Sequence, residues 1–519
     1  MNEYTNLRKA VEGGTIRARH VGYDSTADLR NTVGGVNFIS RRVSMILTTE
    51  EILNFVKDKG IEMVDFKVVD LIGRWHHVTI PVSQLSELTF TNGIGIDGSS
   101  YPGYKKIAAG DMKIIPDNST CILDPFGEPK TLSITCDIFE PDGTPYLRYP
   151  RNVAKRAQEY MASSQKGVAL FSPELEFYIF DEVRYTSEIH QTFYYLDSTE
   201  AFWNTGRQEN PNLGYKFPLK GGYHGIPPAD TTFNLRSKMV KLIEEAGVPV
   251  KYHHHEVGSA SQVEIEVLHD TLLRSADAVM LMKYIIRNVA HQSHKVAIFM
   301  PKPLYQEAGS GMHVHQYLSD GSLSLFYDQD GYAGLSQLAL NYIGGLLKHG
   351  SALLAFTNPS TNSYKRLIPG YEAPVNLFYA AANRTAAVRI PMYDVNRQRA
   401  RVEFRPPDAT CNPYLALSAM LMAGLDGIHN KIDPNAEGYG PFEIDIAEMT
   451  DRQRAGIKTL PSSLEDALTA LRDDHGFLLK GGVFAEDLMD AWIEYKLHKE
   501  ANPLRTRPHP YEFELYSGM

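Results

Sequence analysis

The chain has 519 residues, 43% of them hydrophobic and 22% charged, and a formal net charge of −10. This length predicts more than one domain, and the acidic balance disfavours a nucleic-acid partner or an anionic membrane surface. Three dispersed cysteines exclude a disulfide scaffold, and no apolar run reaches the ~18 residues that a membrane helix needs. We therefore expect a cytoplasmic protein that has no membrane partner.

The first 44 residues differ in character from the rest. They contain scattered arginines, no apolar periodicity and no signal-peptide core. We expect the extension at 1–44 to be disordered, or to precede the true start at Met45; an ordered arm that contacts another subunit is the alternative. The first helix should follow, with Thr48 or Thr49 as its N-cap and acidic residues in its first turn.

Secondary-structure patterns divide the remainder into two parts. The part from 45 to 146 is rich in strands, such as the alternating segments at 63–69 and 131–135, and it ends at the turn sequence PDGTP. In the part from 147 to 519, short strands alternate with helical patterns at 152–163, 232–246, 272–289 and 413–431. This organisation predicts an α+β fold with a small strand-rich domain and a large second domain.

Acidic residues recur on one face of several predicted strands. Residues two apart in a strand share a face, so Glu174 and Glu176 point the same way, and so do Glu264 and Glu266. Glu403 occupies a third segment with a similar alternation. A solvated face of an antiparallel sheet explains this pattern equally well, so it makes these carboxylates candidate metal ligands and no more.

Two further segments supply candidate ligands. The run His-His-His-Glu ends at Glu256, and the glycine-rich loop GSGMHVH contains His313 and His315. Glutamates with one imidazole suit Mg²⁺ or Mn²⁺, whereas zinc usually recruits more cysteine or histidine. The sequence contains no Walker A loop and no dinucleotide fingerprint, so a nucleotide would have to be held by other means.

Arginines are concentrated around the third acidic segment. Six of them lie close together in the sequence: Arg384, Arg389, Arg397, Arg399, Arg401 and Arg405. A basic surface stripe is the alternative, but the apolar residues of this segment indicate a sheet, and Glu403 lies between two of the arginines. Arginine binds phosphate and carboxylate oxygens bidentately, so metal-holding carboxylates beside arginines match the requirements of phosphoryl transfer.

Several short motifs occur in order along the chain. They are DGSS at 97–100, PELE at 173–176, HHHEV at 253–257, KP at 302–303, GSGMH at 309–313, NSYKRLIPGYEAP at 362–374, NR at 383–384 and PHPYEFELY at 508–516. Together they resemble the glutamine synthetase family, of the bacterial and archaeal class I type, from residue 45 to residue 519. The resemblance implies a β-grasp domain at 45–146 and a catalytic domain at 147–519 that has a curved antiparallel sheet and flanking helices.

The resemblance also implies where two divalent ions and the substrates bind. One ion, Mg²⁺ or Mn²⁺, would be held by Glu176, Glu256 and Glu264, and the second by Glu174, His313 and Glu403. Glutamate would contact Gly309, Arg366 and Arg405. ATP would contact His315, Arg384, Arg389, Arg397 and Arg401. These metal-ligand sets agree with the strand faces derived from the alternation.

The implied reaction is ATP-dependent ligation of ammonia to the side-chain carboxylate of L-glutamate through a γ-glutamyl phosphate. Arg384 would stabilise the charge that develops during phosphoryl transfer, and ammonium would bind near Asp97 and Ser100, where Asp97 deprotonates it. Glu372 would act in a flap that closes the site against water. A dodecamer of two stacked hexameric rings is implied, in which Asp97 reaches the site of a neighbouring subunit.

Four positions depart from the family pattern. Ala308 replaces an Asn beside the glutamate site, Tyr317 replaces a Ser near ATP, Lys251 replaces an acidic residue near the nucleotide, and Ile96 replaces an aromatic residue. None of them removes a proposed ligand, but Ala308 and Tyr317 leave room for a different substrate. The alternatives are a γ-glutamyl ligase that uses an organic amine such as a polyamine, a non-catalytic homologue, and a metal-dependent hydrolase.

Overall fold

A computed structural model describes residues 48–165, 167–205, 212–369, 373–393, 395–443, 449 and 456–519. The expected extension at 1–44 and the expected start at Met45 lie outside the described residues. Helix α1 (Thr49–Lys59) begins after the N-cap Thr48, whose hydroxyl accepts a hydrogen bond from the Glu51 amide while the Glu51 carboxylate accepts one from the Thr48 amide. This capping box gives two amides the partners that the helix cannot provide, and the predicted helix start is confirmed.

The first sheet in the described chain is a mixed sheet of six strands. Its strands are β1 (Met63–Val69), β2 (Trp75–Pro81), β3 (Ile94–Asp97), β4 (Asp111–Pro116), β5 (Ile122–Leu123) and β6 (Thr131–Phe139). Their order is β2-β1-β6-β4-β3, with β5 beside β6; β1 and β6 run parallel, and the other neighbours are antiparallel. Helix α2 (Glu87–Thr91) packs against β4. The strands predicted at 63–69 and 131–135 are confirmed.

The second sheet has nine strands within the described residues, and it carries the acidic segments. Its strands are β7 (Val168–Phe180), β10 (Val250–His255), β11 (Gln262–Val267), β12 (Asp270–Thr271), β13 (Val296–Ile298), β14 (Val314–Ser319), β15 (Asn376–Ala381), β16 (Ala386–Ile390) and β17 (Val402–Phe404). The main path is β10-β11-β7-β14-β17-β16-β15, and the short strands β12 and β13 also pair with β7. The sheet is antiparallel as predicted, except that β15 and β16 run parallel. Strands β8 (Glu182–Ser187) and β9 (Thr192–Asp197) form a separate hairpin.

The helices after β6 in the described residues are α3 (Pro150–Gln165), α4 (Phe233–Glu245), α5 (Leu272–Gln292), α6 (Gln337–Lys348), α7 (Gly350–Thr357), α8 (Ser363–Arg366), α9 (Pro413–His429), α10 (Leu464–Asp473), α11 (Glu486–Lys496), α12 (Asn502–Arg505) and α13 (Pro510–Tyr516). Those longer than seven residues pack against the second sheet or against one another, whereas α13 is exposed. The four helices predicted from the sequence correspond to α3, α4, α5 and α9. None of the helices in the described ranges combines the length and the apolar character needed to cross a bilayer.

A buried ionic network joins the first sheet to α3 and α5, two helices that pack against the second sheet. Arg151 in α3 is 1% exposed and donates hydrogen bonds to both carboxylate oxygens of Asp277 in α5 at 3.0 Å. It also donates to Asp137 in β6 at 2.7 Å and to Asp117 at 2.8 Å. These charge-assisted bonds fix the first sheet against α3 and α5, because losing one partner would leave a buried charge uncompensated. The predicted division at residues 146 and 147 stays a prediction.

Candidate active site

Two neighbouring strands of the second sheet bring four glutamates side by side. β7 and β11 are antiparallel neighbours, and their register places Glu174 opposite Glu266 and Glu176 opposite Glu264. All four side chains are buried, so their charges need cations or hydrogen-bond donors as partners. Between them on β7, Leu175 belongs to the hydrophobic core. The alternation seen in the sequence therefore separates an acidic face from a core face.

One candidate cation site lies at the β10 edge of this acidic face. His254 on β10 stands opposite Glu264 on β11, and Glu256 follows β10 directly. Nδ1 of His254 is 3.6 Å from an oxygen of Glu256, and Nε2 of His254 is 3.8 Å from an oxygen of Glu264. Ligand atoms of these three residues lie within 4.8 Å of one another, which permits one ion to contact all three.

A second candidate cation site lies where β7 meets the segment that leads into β14. Nδ1 of His313 is 3.1 Å from an oxygen of Glu174 and 3.9 Å from an oxygen of Glu403. Ligand atoms of these residues also lie within 4.8 Å of one another. The two carboxylates come from β7 and β17, the strands on either side of β14, so the sheet order itself brings the three residues together.

The grouping of the ligands differs in one respect from the expectation. Ligand atoms of the three expected members of the second site lie within 4.8 Å of one another, and beside Glu256 and Glu264 the residue that meets this distance is His254. The expected set of Glu176, Glu256 and Glu264 stays a prediction. Glu176 instead accepts a hydrogen bond from the Gly311 amide at 2.8 Å, and its other oxygen is 3.7 Å from Nδ1 of His313. The reason is that the chain before β14 continues alongside β7, where the Glu176 amide donates to the Gly311 carbonyl. Glu176 therefore stands between the two sites.

The carboxyl groups of the first site are costly to ionise when no cation is bound among them. Burial, followed by repulsion from Glu176, raises the pKa of Glu256 to about 8. Burial likewise raises the pKa of Glu264 well above its ordinary value, with repulsion from Glu174 and Glu256 as further causes. Buried carboxylates that repel one another hold protons to a higher pH than isolated ones. A cation placed among them would remove this penalty.

At the second site, positively charged side chains already pair with a carboxylate. Arg389 and Arg405 donate hydrogen bonds to different oxygens of Glu403. Burial acts to raise the pKa of Glu403, but the charges of Arg405 and then of His315 lower it to about 2. Nε2 of His315 is 2.7 Å from Glu174, and the two nearby imidazoles outweigh burial and hold the pKa of Glu174 well below its ordinary value. Both carboxylates are therefore ionised at neutral pH.

Both candidate cation sites open into one cavity of about 670 Å³. The cavity is lined by eleven of the predicted site residues: Glu174, Glu176, Glu256, Glu264, Gly309, His313, Arg366, Arg384, Arg389, Glu403 and Arg405. A volume of this size is typical of sites for small ligands and cofactors. Residues that are far apart in the sequence thus converge on a single space in which carboxylates face arginines.

Arg366 forms one wall of the cavity. Its guanidinium donates hydrogen bonds to the carbonyls of Pro406 at 2.7 Å and Arg405 at 3.2 Å, and it lies 3.4 Å from Nε2 of His313. A Cβ atom at Gly309 would lie 2.7 Å from Cγ of Arg366, so glycine is what allows the backbone to approach this closely. Two of the residues predicted to bind glutamate are therefore direct neighbours.

Three of the predicted ATP contacts do not line the cavity. His315 is buried behind Glu174, and Arg397 is exposed. Arg401 is buried and donates a hydrogen bond at 3.2 Å to the hydroxyl of Tyr393, which does line the cavity. In this structure Arg401 therefore reaches the cavity through Tyr393.

Asp97 and Ser100 are not among the residues that line this cavity. Asp97 ends β3 in the first sheet, where it is exposed and accepts hydrogen bonds from the Ser99 amide at 2.9 Å and the Ser99 hydroxyl at 2.7 Å. The Ser100 hydroxyl donates to it at 3.0 Å. These bonds, those from Ser99 first, lower the pKa of Asp97. The predicted flap residue Glu372 lies outside the described residues.

Four polar lining residues have no role among the sequence predictions: Lys220, Tyr223, Tyr252 and Tyr393. His254 was included there only as part of the His-His-His-Glu run of candidate ligands. His254 carried a usable signal, since it shares a strand face with Tyr252 and precedes Glu256 by two residues. Lys220 and Tyr223 lie in an irregular segment that has no periodicity to place them. Tyr393 follows β16, and the arginine pattern around it gave no reason to select an aromatic residue.

Two models of protein families match nearly the whole described chain. The model named "Glutamine synthetase, beta-Grasp domain" matches residues 60–141, and the model named "Glutamine synthetase, catalytic domain" matches residues 147–516. The chain belongs to the glutamine synthetase family. Enzymes of this family are ATP-dependent ligases, so the predicted family, the predicted α+β architecture and the predicted class of enzyme are confirmed.

Curated glutamine synthetases resemble the chain over almost their full length. The glutamine synthetase of Frankia alni is 50% identical over 475 residues, which cover 91% of this chain and 99% of that protein. The one of Mycolicibacterium smegmatis is 47% identical and covers 90% of this chain and 98% of its own length. Identity at this level over both domains extends the family assignment beyond single motifs.

Solved structures give the same assignment for the fold. A cryo-electron-microscopy structure titled as Plasmodium falciparum glutamine synthetase superposes with a TM-score of 0.82 at 27% identity, covering 91% of this chain and 99% of that one. A structure titled GmaS/ADP complex superposes with a TM-score of 0.74 at 26% identity, covering 90% and 99%. The two-sheet architecture is therefore that of the glutamine synthetase fold.

Glutamine synthetases depend on ATP and on divalent metal ions, and the cavity suits such ions. Its donor atoms are carboxylate oxygens and imidazole nitrogens, a set that fits Mg²⁺ or Mn²⁺. Burial and then repulsion from neighbouring carboxylates raise the pKa values of Glu256 and Glu264, and a cation bound among them would favour their ionised forms. The residues present therefore fit a divalent cation.

Proposed function

We propose that the cavity is where the chain ligates ammonia to the side-chain carboxylate of glutamate at the expense of ATP. The observation that supports this proposal most is the convergence of five glutamates and four arginines on one space. Glutamates bind divalent cations and arginines bind phosphate or carboxylate oxygens, so one cavity offers partners for every charged group of the two substrates. Neither kind of residue alone would distinguish a ligase from a simple metal site.

We propose two metal sites within the cavity. One ion would be held by His254, Glu256 and Glu264, and the other by Glu174, His313 and Glu403, with Glu176 available to both. Bound there, divalent ions supply Lewis-acid stabilisation of phosphate charge and orientation of the phosphoryl group. Glu403 would be positioned for this purpose by its hydrogen bonds from Arg389 and Arg405.

The reaction has two steps in this proposal. A side-chain carboxylate oxygen of glutamate attacks the γ-phosphorus of ATP, the bond from that phosphorus to the β–γ bridging oxygen breaks, and ADP leaves. Arg384, which lines the cavity, would stabilise the charge on the transferring group, while Arg366 beside Gly309 would hold the amino-acid end of glutamate. Ammonia then attacks the acyl carbon, and inorganic phosphate leaves with its bridging oxygen.

Asp97 is proposed to serve the cavity of a neighbouring subunit. Its lowered pKa keeps it ionised and able to accept a proton from ammonium, yet it does not line the cavity of its own chain. A dodecamer of two hexameric rings would supply the missing contact between chains. Mixing impaired Asp97→Asn chains with inactive Glu403→Gln chains, at an ammonium concentration that is limiting for Asp97→Asn, tests this arrangement. Mixed assemblies should be more active than either variant alone, and a mixture that gains no activity refutes it.

Glu372 is proposed to act in a flap that covers the acyl phosphate. Replacement by alanine should leave ATP binding intact and reduce glutamine formation by about 10²-fold or more, the scale of a proton-transfer group. The measurement is ATP binding by calorimetry beside steady-state turnover. Unchanged turnover would remove Glu372 from the mechanism.

The proposed compartment is the cytoplasm. The three cysteines are buried and form no disulfide, which suits a reducing environment where ATP and glutamate are available.

The experiment that tests the proposed function is a phosphate-release assay with glutamate, Mg²⁺-ATP and either ammonium or a panel of organic amines. Release that requires ammonium and matches the glutamine formed supports the proposal. Release with an organic amine but not with ammonium would replace it by the γ-glutamyl ligase alternative. Release without any amine would indicate a hydrolase, and Glu264→Gln is the control that separates activity of this cavity from contamination.

A further inference from the structure

Glu266 is a further buried glutamate, next to the carboxylates that line the cavity, and the ammonium group of Lys251 is its cationic partner. Glu266 on β11 is 0% exposed and stands opposite Glu174 on β7. Nζ of Lys251 is 2.7 Å from one oxygen of Glu266 and 2.9 Å from the other. One ammonium group thus occupies both oxygens of a carboxylate that has no exposure to solvent.

Lys251 reaches Glu266 because of a β-bulge in β10. The register pairs Val250 with Val267 and Tyr252 with Glu266, so two steps along β10 match one step along β11, and Lys251 is the extra residue. A bulge re-aims a side chain that regular alternation would direct to the opposite face of the sheet. The ammonium group is also 4.8 Å from the centre of the Tyr252 ring, which helps to keep it in place.

Without Lys251, Glu266 would complete a third set of cation ligands. Ligand atoms of Glu174, Glu266 and His315 lie within 4.8 Å of one another. Nδ1 of His315 is buried and finds no hydrogen-bond partner in the described part of the chain. The third set shares Glu174 with the proposed second metal site, so an ion bound there would compete with His313 for the same carboxylate.

We propose that Lys251 is a positioning residue: its ammonium group satisfies Glu266 and so prevents the Glu174, Glu266 and His315 set from binding a divalent ion. This inference rests on the proposed function, because it takes the other two sets as metal sites. An ion bound to Glu266 would lie beside an ammonium group that already contacts both carboxylate oxygens, so charge repulsion opposes its binding. Glu174 therefore stays available to the ion that it shares with His313.

The test is the number of Mn²⁺ ions bound per subunit of the assembled protein without nucleotide, measured by equilibrium dialysis and by the electron paramagnetic resonance signal of free Mn²⁺. Lys251→Met removes the charge at nearly constant length, and Lys251→Arg keeps the charge as a matched control. The wild type and Lys251→Arg should bind two ions. Lys251→Met should bind a third, and the double variant Lys251→Met with Glu266→Gln should return to two.

The possible failures are distinguishable. If Lys251→Met is folded and binds two ions, the inference is wrong and the proposed function stands. If the wild type binds none, the proposed metal sites and the inference both fail. If Lys251→Met is unstable, its thermal unfolding with and without Mn²⁺ decides: a larger Mn²⁺-induced increase than in wild type supports the inference, and an equal or smaller increase overturns it.

Discussion

The replacement Glu256→Gln should have opposite effects on stability in the absence and in the presence of divalent ions. Without metal, the pKa of Glu256 is raised from 4.5 to about 8 by burial and then by Glu176. A carboxyl group whose folded-state pKa is raised contributes stability that is complete below about pH 4.5 and is lost as pH rises through about 8. The glutamine variant has no charge to bury, so this loss should disappear.

The magnitude follows from the size of this shift. Each pH unit between 4.5 and about 8 corresponds to about 1.36 kcal/mol, so in alkaline solution the metal-free variant should be more stable than wild type by up to about 5 kcal/mol. Glutamine preserves an oxygen for the hydrogen bond from the Val257 amide, which is 2.8 Å long in wild type. With saturating Mn²⁺ the order should reverse, because wild type gains one more ligand bond to the ion than the variant.

Thermal unfolding in chelator and in Mn²⁺, measured from about pH 5 to about pH 9, provides the comparison. Glu494→Gln is a matched control, since Glu494 is an exposed residue of α11. It should change the unfolding temperature little under either condition. A Glu256→Gln variant that is less stable than wild type in chelator, or that gains as much from Mn²⁺ as wild type does, would refute the reasoning.

Three further predictions concern other parts of the molecule. Arg151→Met should lower the free energy of unfolding by about 3–5 kcal/mol in chemical denaturation, because it strands buried carboxylates; a loss below about 1 kcal/mol contradicts this. Asp97→Asn should raise the KM for ammonium and leave the KM for ATP nearly unchanged in a glutamine-formation assay; an unaltered ammonium dependence removes Asp97 from that role. Burial lowers the pKa of His349, but its hydrogen bonds to Asp426 at 3.0 Å and Asp474 at 2.7 Å raise the pKa overall above 6.5. The contribution of His349 to stability is therefore complete below about pH 6.5 and is lost as pH rises through the raised pKa. His349→Gln should lower the unfolding temperature more near pH 6 than near pH 9. Equal losses at the two pH values would contradict this assignment.

Local periodicity predicted the elements of the site well. The alternation around Glu174 and Glu264 identifies strands with an acidic face, because a period of two is set by the geometry of an extended chain. The start of α1 at Thr48 was equally predictable, since a capping box is a signal confined to four residues. The parallel pairing of β15 with β16 was not predictable in this way, because strand direction depends on the connection between strands rather than on their composition.

The parts of the site that the sequence did not specify depend on register and on irregular chain. His254 joins the first cation site because of its position opposite Glu264, and Glu176 is drawn towards Gly311 by the segment before β14. The bulge at Lys251 inserts one residue into the pairing, which no count of alternating residues reveals. Long-range pairing of this kind becomes visible only when the strands are placed next to one another.

The most direct test of the two proposed metal sites is a crystal structure of the protein with Mn²⁺ and a non-hydrolysable ATP analogue, in which anomalous scattering locates the ions. Two anomalous peaks are predicted within the cavity. One should lie among His254, Glu256 and Glu264, and the other among Glu174, His313 and Glu403. A cavity that binds the analogue without any manganese peak, or peaks that lie only outside these two groups, would contradict the account.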